Sequence, residues 1–539
     1  MVSILALFAA AAVAQTADLA VTNARIYTVD PSRPTASAIA VKGDKILAVG
    51  DDMGPYLGPA TRRIDARGGT IIPGLIDSHG HMLGLGESLE TLDLRGTHSE
   101  QEIVEIVRKA ARERKPGEWI RGHAWDQNNW PDKQFPTAAS ISAAAPENPV
   151  FLTRVDGHAG WVNHKALELA GLSATTPDPP GGRILRDASR APTGVLIDRA
   201  QSLVAQKIPP AMPEQIRERL AHAAQECARM GLTSVHDAGV GAETIEQYRV
   251  LIKDRRLPVR VYAMVGGVSP LWREYLRRGP EISDRLTVRS IKLVADGALG
   301  SRGAALKQPY SDDPRNSGLV ILEEKDIERV AREAVAHGFQ VNTHAIGDRA
   351  NRTVLDAYAA VLGGTNDRRF RIEHAQVVSL EDIPLFQKYS VIASLQATHA
   401  TSDMPWAQAR LGPERVKGAY AWRRFLSIGV HVPNGSDFPV ESPNPLWGFY
   451  AAVTRQDRTG NPPGSWFPDQ RMTREEALRS WTIEGAYAAF EEDTKGSLTP
   501  GKIADFVVLS DDIMRMPAAE TWKARVKMTF VGGELVYSQ

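Results

Sequence analysis

The chain has 539 residues, 43% hydrophobic and 24% charged, as in an ordinary soluble globular protein. Lys+Arg and Asp+Glu both total 64, so the formal charge is zero and nothing recommends nucleic acid or an anionic membrane as a partner. The single cysteine, Cys227, excludes an internal disulfide framework and a cysteine-cluster metal site. Any metal must therefore be held by His, carboxylate or a less usual group.

In chain order, residues 4–13 form a short apolar run, and Ala12-Val13-Ala14 has the small-x-small form of a cleavage site. Residues 1–14 read as a signal peptide, and the protein as exported, periplasmic or secreted. The run is too short to span a bilayer and no Cys follows it, so no stable membrane anchor is expected. Residues 15–70 are short β-rich runs broken by Gly, Asp and Pro, and residues 496–539 return to that style, with a hairpin at Gly532-Gly533. The two ends are expected to build one small β-sandwich domain.

Residues 71–81, IIPGLIDSHGH, run apolar and then end in Asp77, His79 and His81. Strand residues two apart share a face, so His79 and His81 can aim two imidazoles at one point. Neutral imidazole is a common ligand for zinc and similar metals. Further on, helix-like stretches at 213–230 and 323–337 alternate with strand-like runs, the pattern of repeated βα units on a parallel sheet.

Several candidate strands end in polar residues. These are 151–155 before Asp156 and His158, 233–235 before His236 and Asp237, 288–294 around Lys292, 339–342 before His344, 370–372 before His374 and 431–433 before Asp437. Polar groups at C-terminal strand ends form the active face of a (β/α)8 barrel. The expected fold class is α/β, a TIM-like barrel over 71–495 with an inserted subdomain at about 84–230 that covers its mouth. With the run from 71, 259–265 and the strand candidate that precedes Gln396, the strand candidates exceed eight, so at least one belongs elsewhere. Lys292 stands out, because an ammonium amid an apolar run is costly to bury. A snorkelling side chain or an internal salt bridge would also account for it.

Two His, a Lys, two single His and an Asp occur in that order, each at an expected strand end. This series resembles the amidohydrolase superfamily. Longer stretches narrow the resemblance to the amidohydrolase 3 family, its YtcJ-like branch, which includes N-substituted formamide deformylases. They are GHAWDQNNWP (122–131), VDGHAGWVN (155–163), GLTSVHDAG (231–239), KLVADGALGSRGAAL (292–306), NTHAIGDRA (342–350), RIEHAQ (371–376), LQATHATSDMPWA (395–407) and GSDFPVESPNP (435–445). The resemblance implies that His79, His81 and Asp437 hold one divalent metal, that His344 and His374 hold a second, and that Lys292, carboxylated by CO2, bridges them. Two zinc ions are the first expectation, with manganese, iron and cobalt as substitutes.

The implied activity is hydrolysis of a C–N bond in a small-molecule amide by metal-activated water. Asp437 would act as general base and then acid. Trp125, His158, Arg302, Gln396, His399 and Asp403 are candidates for substrate contact. The family pattern Ser-Arg-Thr-Ala is replaced here by Ser301-Arg302-Gly303-Ala304. Cys227 sits in a helix-like run and reads as core. Other readings are a deaminase or a cyclic imide or ester hydrolase on the same scaffold, and a non-catalytic periplasmic binding protein. Homo-oligomerisation is compatible with the sequence.

Overall fold

The computed structural model describes residues 15–267 and 270–539, so the signal-peptide expectation at 1–14 lies outside the described residues. Seven parallel strands form a curved sheet: β1 (Leu75–Gly80), β2 (Leu232–Val240), β3 (Arg260–Gly266), β4 (Leu286–Val294), β5 (Gln340–Ala345), β6 (Arg371–His374) and β7 (Ile392–Ser394), each paired with its neighbour in that order. The eighth position is filled by residues 431–436, which bridge to Leu395 through Asn434. Gly435 N–H donates to Leu395 O (3.0 Å) on the β7 side, and Ser78 N–H donates to Asn434 O (3.1 Å) on the β1 side. The sheet is thereby nearly closed, a TIM-like barrel as expected. The run 259–265 is the third barrel strand, whereas 151–155 belongs to another sheet, which removes the excess candidate.

That other sheet has six strands in the order Gly182–Arg186, Pro192–Asp198, Ala159–Val162, Val150–Arg154, Ile120–Trp125 and Leu92–Asp93. It lies in the chain between β1 and β2 and has its own core of Ile103, Val107, Trp125, Trp130, Trp161 and Val195. The helices Met82–Glu90 and Pro213–Arg229, inside the expected insertion, pack on each other and share the barrel's core. The added sheet is therefore narrower than 84–230.

Both chain ends meet in two packed sheets. One holds Leu19–Thr22, Ala38–Lys42, Lys45–Gly50 and Arg62–Asp65. The other joins Arg25–Tyr27, Thr35–Ala36 and Thr70–Pro73 to Phe506–Leu509, Val526–Val531 and Glu534–Ser538. Val21, Ile39, Ile71, Phe506 and Phe530 fill the space between them. The Gly532-Gly533 turn has both φ angles positive (60° and 74°), which suits the expected hairpin. Among the described residues, no helix is long and apolar enough to cross a membrane.

Candidate metal centre

The site grows from the junction of β1 with the closing segment. Asp437 N–H donates to His79 O (2.7 Å) and His81 N–H to Phe438 O (2.8 Å), so the pairing continues past the strand ends. A Cβ on Gly435 would come within 2.7 Å of His79 N, so only glycine permits this approach. Beneath, burial pushes the Asp77 carboxyl up to about 7, against the Ser436 hydroxyl (2.6 Å) and the backbone N–H groups of His79 and Ser436 that donate to it. These bonds fasten the closing segment to β1.

Three histidines are oriented by what their Nδ1 atoms meet. His79 Nδ1 donates to Glu373 Oε2 (2.7 Å), His81 Nδ1 to Ala238 O (3.0 Å) and His374 Nδ1 to Gln396 Oε1 (2.7 Å). Carbonyl and amide oxygens only accept, so Nδ1 carries the proton in His81 and His374, and the Glu373 carboxylate imposes the same tautomer on His79. In His79 and His374, where the cation is disfavoured, Nε2 is then left with a lone pair. Burial drives His79 below its ordinary value, aided by Lys292 and opposed by Glu373; it drives His374 well below. Burial opposes ionisation of Glu373, yet His79 and Arg371 hold its carboxyl below the usual value.

These lone pairs converge on Asp437. His81 Nε2 lies 3.1 Å and His79 Nε2 3.6 Å from Asp437 Oδ1, and donor atoms of His79, His374 and Asp437 all lie within 4.8 Å of one another. Burial disfavours the Asp437 anion, but a hydrogen bond with His81 holds its carboxyl well below the ordinary range. Oδ1 is buried and takes no well-aligned hydrogen bond. The unprotonated His79 Nε2 and the carboxylate oxygen are two acceptors facing each other. Two ligands of a tetrahedral ion bonded at about 2.1 Å stand roughly 3.4 Å apart. The donor set therefore fits a divalent cation.

Lys292, in β4, reaches the same point, with Nζ 3.3 Å from His79 Nε2. It is buried, and no carboxylate of the described residues lies within ion-pair distance of it. Burial lowers its pKa, with Glu373 and Asp437 pulling the other way. His344, at the end of β5, packs its ring 4.6 Å from that of His374, and burial keeps it neutral, well below the ordinary histidine value. Its Nε2 stands 3.5 Å from Asp296 Oδ1. Asp296 accepts N–H bonds from Ile346, Gly347 and Ala305 (2.8–2.9 Å), and burial pushes its carboxyl up to about 7. All six residues expected to ligate thus meet at one end of the barrel.

The candidates for substrate contact divide. His158 enters from the inserted sheet, its ring 5.8 Å from that of His344. Burial works against its cation, but Asp198 (Nδ1···Oδ1 2.6 Å) lifts it to about 8. His399 places Nε2 3.8 Å from Asp437 Oδ2, and Gln396 orients His374. Asp403 accepts from the Tyr420 hydroxyl (2.5 Å) and the Gln376 amide (3.2 Å), beside a small cleft lined by His374, Gln396, His399 and Trp422.

Two candidates are engaged by other residues. Trp125 is wholly buried, donates its indole N–H to Leu152 O (2.8 Å) and packs edge-on against Trp161, so it is a core residue of the insertion. Arg302 is engaged by Asp312 through two bonds (3.1 and 3.2 Å). His236 lies deeper in the barrel against Arg371, and Asp237 accepts the Met82 N–H at the start of the helix after His81.

Sequence reasoning misses Glu373, Asp296 and Asp198. Glu373 and His374 are neighbours in a strand and should face opposite sides. His374 has φ +74°, which turns the strand end so that both side chains reach the barrel's interior. Asp198 is separated from His158 by 40 residues and carries no local signal.

The chain belongs to the amidohydrolase family, whose model matches residues 62–537. It is 35% identical to the Protein LONG AFTER FAR-RED 3 of Arabidopsis thaliana, over 97% of this chain and 92% of that one. It is 29% identical to an N-substituted formamide deformylase of Arthrobacter pascens, over 97% and 99%. A metal-dependent hydrolase of Pyrococcus horikoshii OT3, of uncharacterised function, superposes with a TM-score of 0.75 at 28% identity, over 93% and 99%. Family, fold and donor set together define a hydrolase with a site for a divalent metal.

Proposed function

We propose that this protein hydrolyses the C–N bond of a small-molecule amide, of the N-acyl or N-formyl amine class. The observation that carries the reading is the convergence of the His79 and His81 Nε2 atoms on Oδ1 of Asp437, which takes no well-aligned hydrogen bond. His79, His81 and Asp437 would hold one cation, and His344 and His374 a second. Lys292, as a carbamate formed from its amine and CO2 with loss of a proton, would bridge them. Zinc suits imidazole and hard oxygen ligands. A cation held there supplies Lewis acidity, polarising a carbonyl and bringing the pKa of water from 15.7 toward about 7.

The protein's own groups do the rest. The desolvated amine of Lys292 has no carboxylate partner, so it favours the neutral form that reacts with CO2. Asp437 would take the proton of the attacking water at its carboxylate and return it to the leaving nitrogen. His399 stands beside that carboxylate on its other oxygen. The products are a carboxylic acid and an amine. The formamide deformylase relative supports an acyl-amine substrate.

The test is a panel of N-formyl, N-acetyl and longer N-acyl anilines and alkylamines, with released amine measured. Turnover of acyl amines that is lost on chelation supports the reading. Turnover confined to cyclic imides, esters or amidine-like rings, or unaffected by full metal removal, contradicts it.

A further inference from the structure

The two cation positions of the proposed site are held in different ways. His79, His81 and Asp437 lie on two segments that are joined main chain to main chain, through the bonds from Asp437 N–H to His79 O and from His81 N–H to Phe438 O. Lys292, His344 and His374 instead stand at the ends of three strands, β4, β5 and β6, and each strand runs on into its own loop. Ala295 N–H donates to His344 O and Val377 N–H to Ile346 O, both at 2.9 Å. Past these bonds, two fully buried side chains, Asp296 and Asn351, gather the three loops.

Asp296 follows Lys292 by four residues. Its Oδ1 accepts Ile346 N–H (2.9 Å), and its Oδ2 accepts Ala305 N–H and Gly347 N–H (2.8 Å each). One carboxyl thus ties the loop after the lysine strand to the loop after His344. Asn351, near the start of the helix Asp348–Leu362, does the reverse. Its Nδ2 lies 3.1 Å from Ala345 O, 3.3 Å from Ile346 O, 3.0 Å from Gly347 O and 3.1 Å from Val377 O. Carbonyl oxygens only accept, so the amide must turn its NH2 toward them; a flipped amide would set its oxygen against four others. Val377 stands three residues after His374, so this amide ties the loop after His344 to the loop after His374. The segment Ile346-Gly347 is therefore gripped on both sides, its N–H groups by Asp296 and its carbonyls by Asn351. A Cβ on Gly347 would stand 2.0 Å from Ala305 O, so only glycine lets the loops close this far.

We propose that Asp296 and Asn351 are the positioning residues of the second cation: together they fix the spacing of Lys292, His344 and His374, and so set how tightly that cation is held independently of the first. This rests on the two-cation reading above. Ligands on three separate loops are preorganised only if the loops cannot part. An amide in place of Asp296 turns one of its two acceptors into a donor that faces a backbone N–H. A carboxylate in place of Asn351 sets an acceptor against four carbonyls. Either change loosens the loops while leaving the junction of β1 with the closing segment untouched.

The experiment is zinc binding to the purified chain, read by competition with chelators of graded strength. Two equivalents are expected in the wild-type protein. In Asp296→Asn and in Asn351→Asp, one of the two should weaken by about 10–100-fold while the other holds. Asn351→Ala, which removes the amide without adding charge, carries the test if the isosteric variants do not fold. In a His344→Ala background, where only the other equivalent is left, Asp296→Asn should change nothing further. Two wild-type affinities in the single variants, an equal weakening of both equivalents, or a further loss in the His344→Ala background overturns the proposal while the two-cation reading stands. A wild-type chain that takes up fewer than two equivalents overturns both.

Discussion

The barrel mouth and the inserted sheet both bury large polar-tipped rings, but to opposite ends. In the insertion, Trp125 and Trp161 each give their indole N–H to a backbone carbonyl at 2.8 Å, and the rings pack edge to face. At the mouth, His79, His81 and His374 also satisfy one nitrogen each, and then leave the other aimed at a common point. A buried polar group costs free energy unless it finds a partner. In the insertion Trp125 and Trp161 find their partners locally, and Trp130, whose indole N–H has none, stands alone among the three. Where unfilled acceptors accumulate around one spot, the missing partner is a ligand.

That contrast can be broken by substitution. The largest effect is expected for Lys292→Ala, which should abolish turnover and lower metal content, with partial recovery on adding short carboxylates such as acetate or formate. Wild-type rate in this variant would remove the carbamate from the account. Asp437→Asn should cost about 10²–10⁴-fold in kcat while losing much less metal; equal losses of rate and metal would make Asp437 a ligand only.

On the other side of the comparison, Trp125→Ala should destabilise the protein by about 3–5 kcal/mol, as for other buried aromatics. Chemical denaturation would show this as a lower midpoint, with the metal retained by the folded fraction. Loss of metal in that variant under native conditions would tie the insertion's core to the ligands. The smallest effect is expected for Glu373→Gln, which keeps the shape but weakens the hold on His79 Nδ1. It should cost roughly 10–100-fold in metal affinity, read by competition with a chelator. An unchanged affinity would make Glu373 a packing residue.

Much of the site is legible in the amino-acid sequence, for a physical reason. His79 and His81 are two apart, and strand geometry converts that spacing into a shared face. Lys292 is conspicuous because its ammonium sits in an apolar run, where burial has to be explained. The barrel itself follows from βα alternation, and the closing segment from Asp437 at its end. The departures have causes too. Trp125 reads as a pocket residue because an indole is equally at home in a pocket wall and in a core, and residue type alone does not separate them. Arg302 lies next to the lysine strand, but Asp312, ten residues on, claims its guanidinium. Glu373 is hidden by strand alternation, which fails where His374 takes a positive φ. Asp198 is hidden because its partnership with His158 exists only in the folded insertion.

In the proposed hydrolase His79, His81, Lys292, His344, His374 and Asp437 gather around divalent metal. Elemental analysis of protein purified without chelators tests it most directly, paired with activity before and after complete metal removal. More than one equivalent of divalent metal per chain is expected, with activity that disappears on stripping and returns on adding zinc or another of the expected ions. A metal-free preparation with full activity would contradict it.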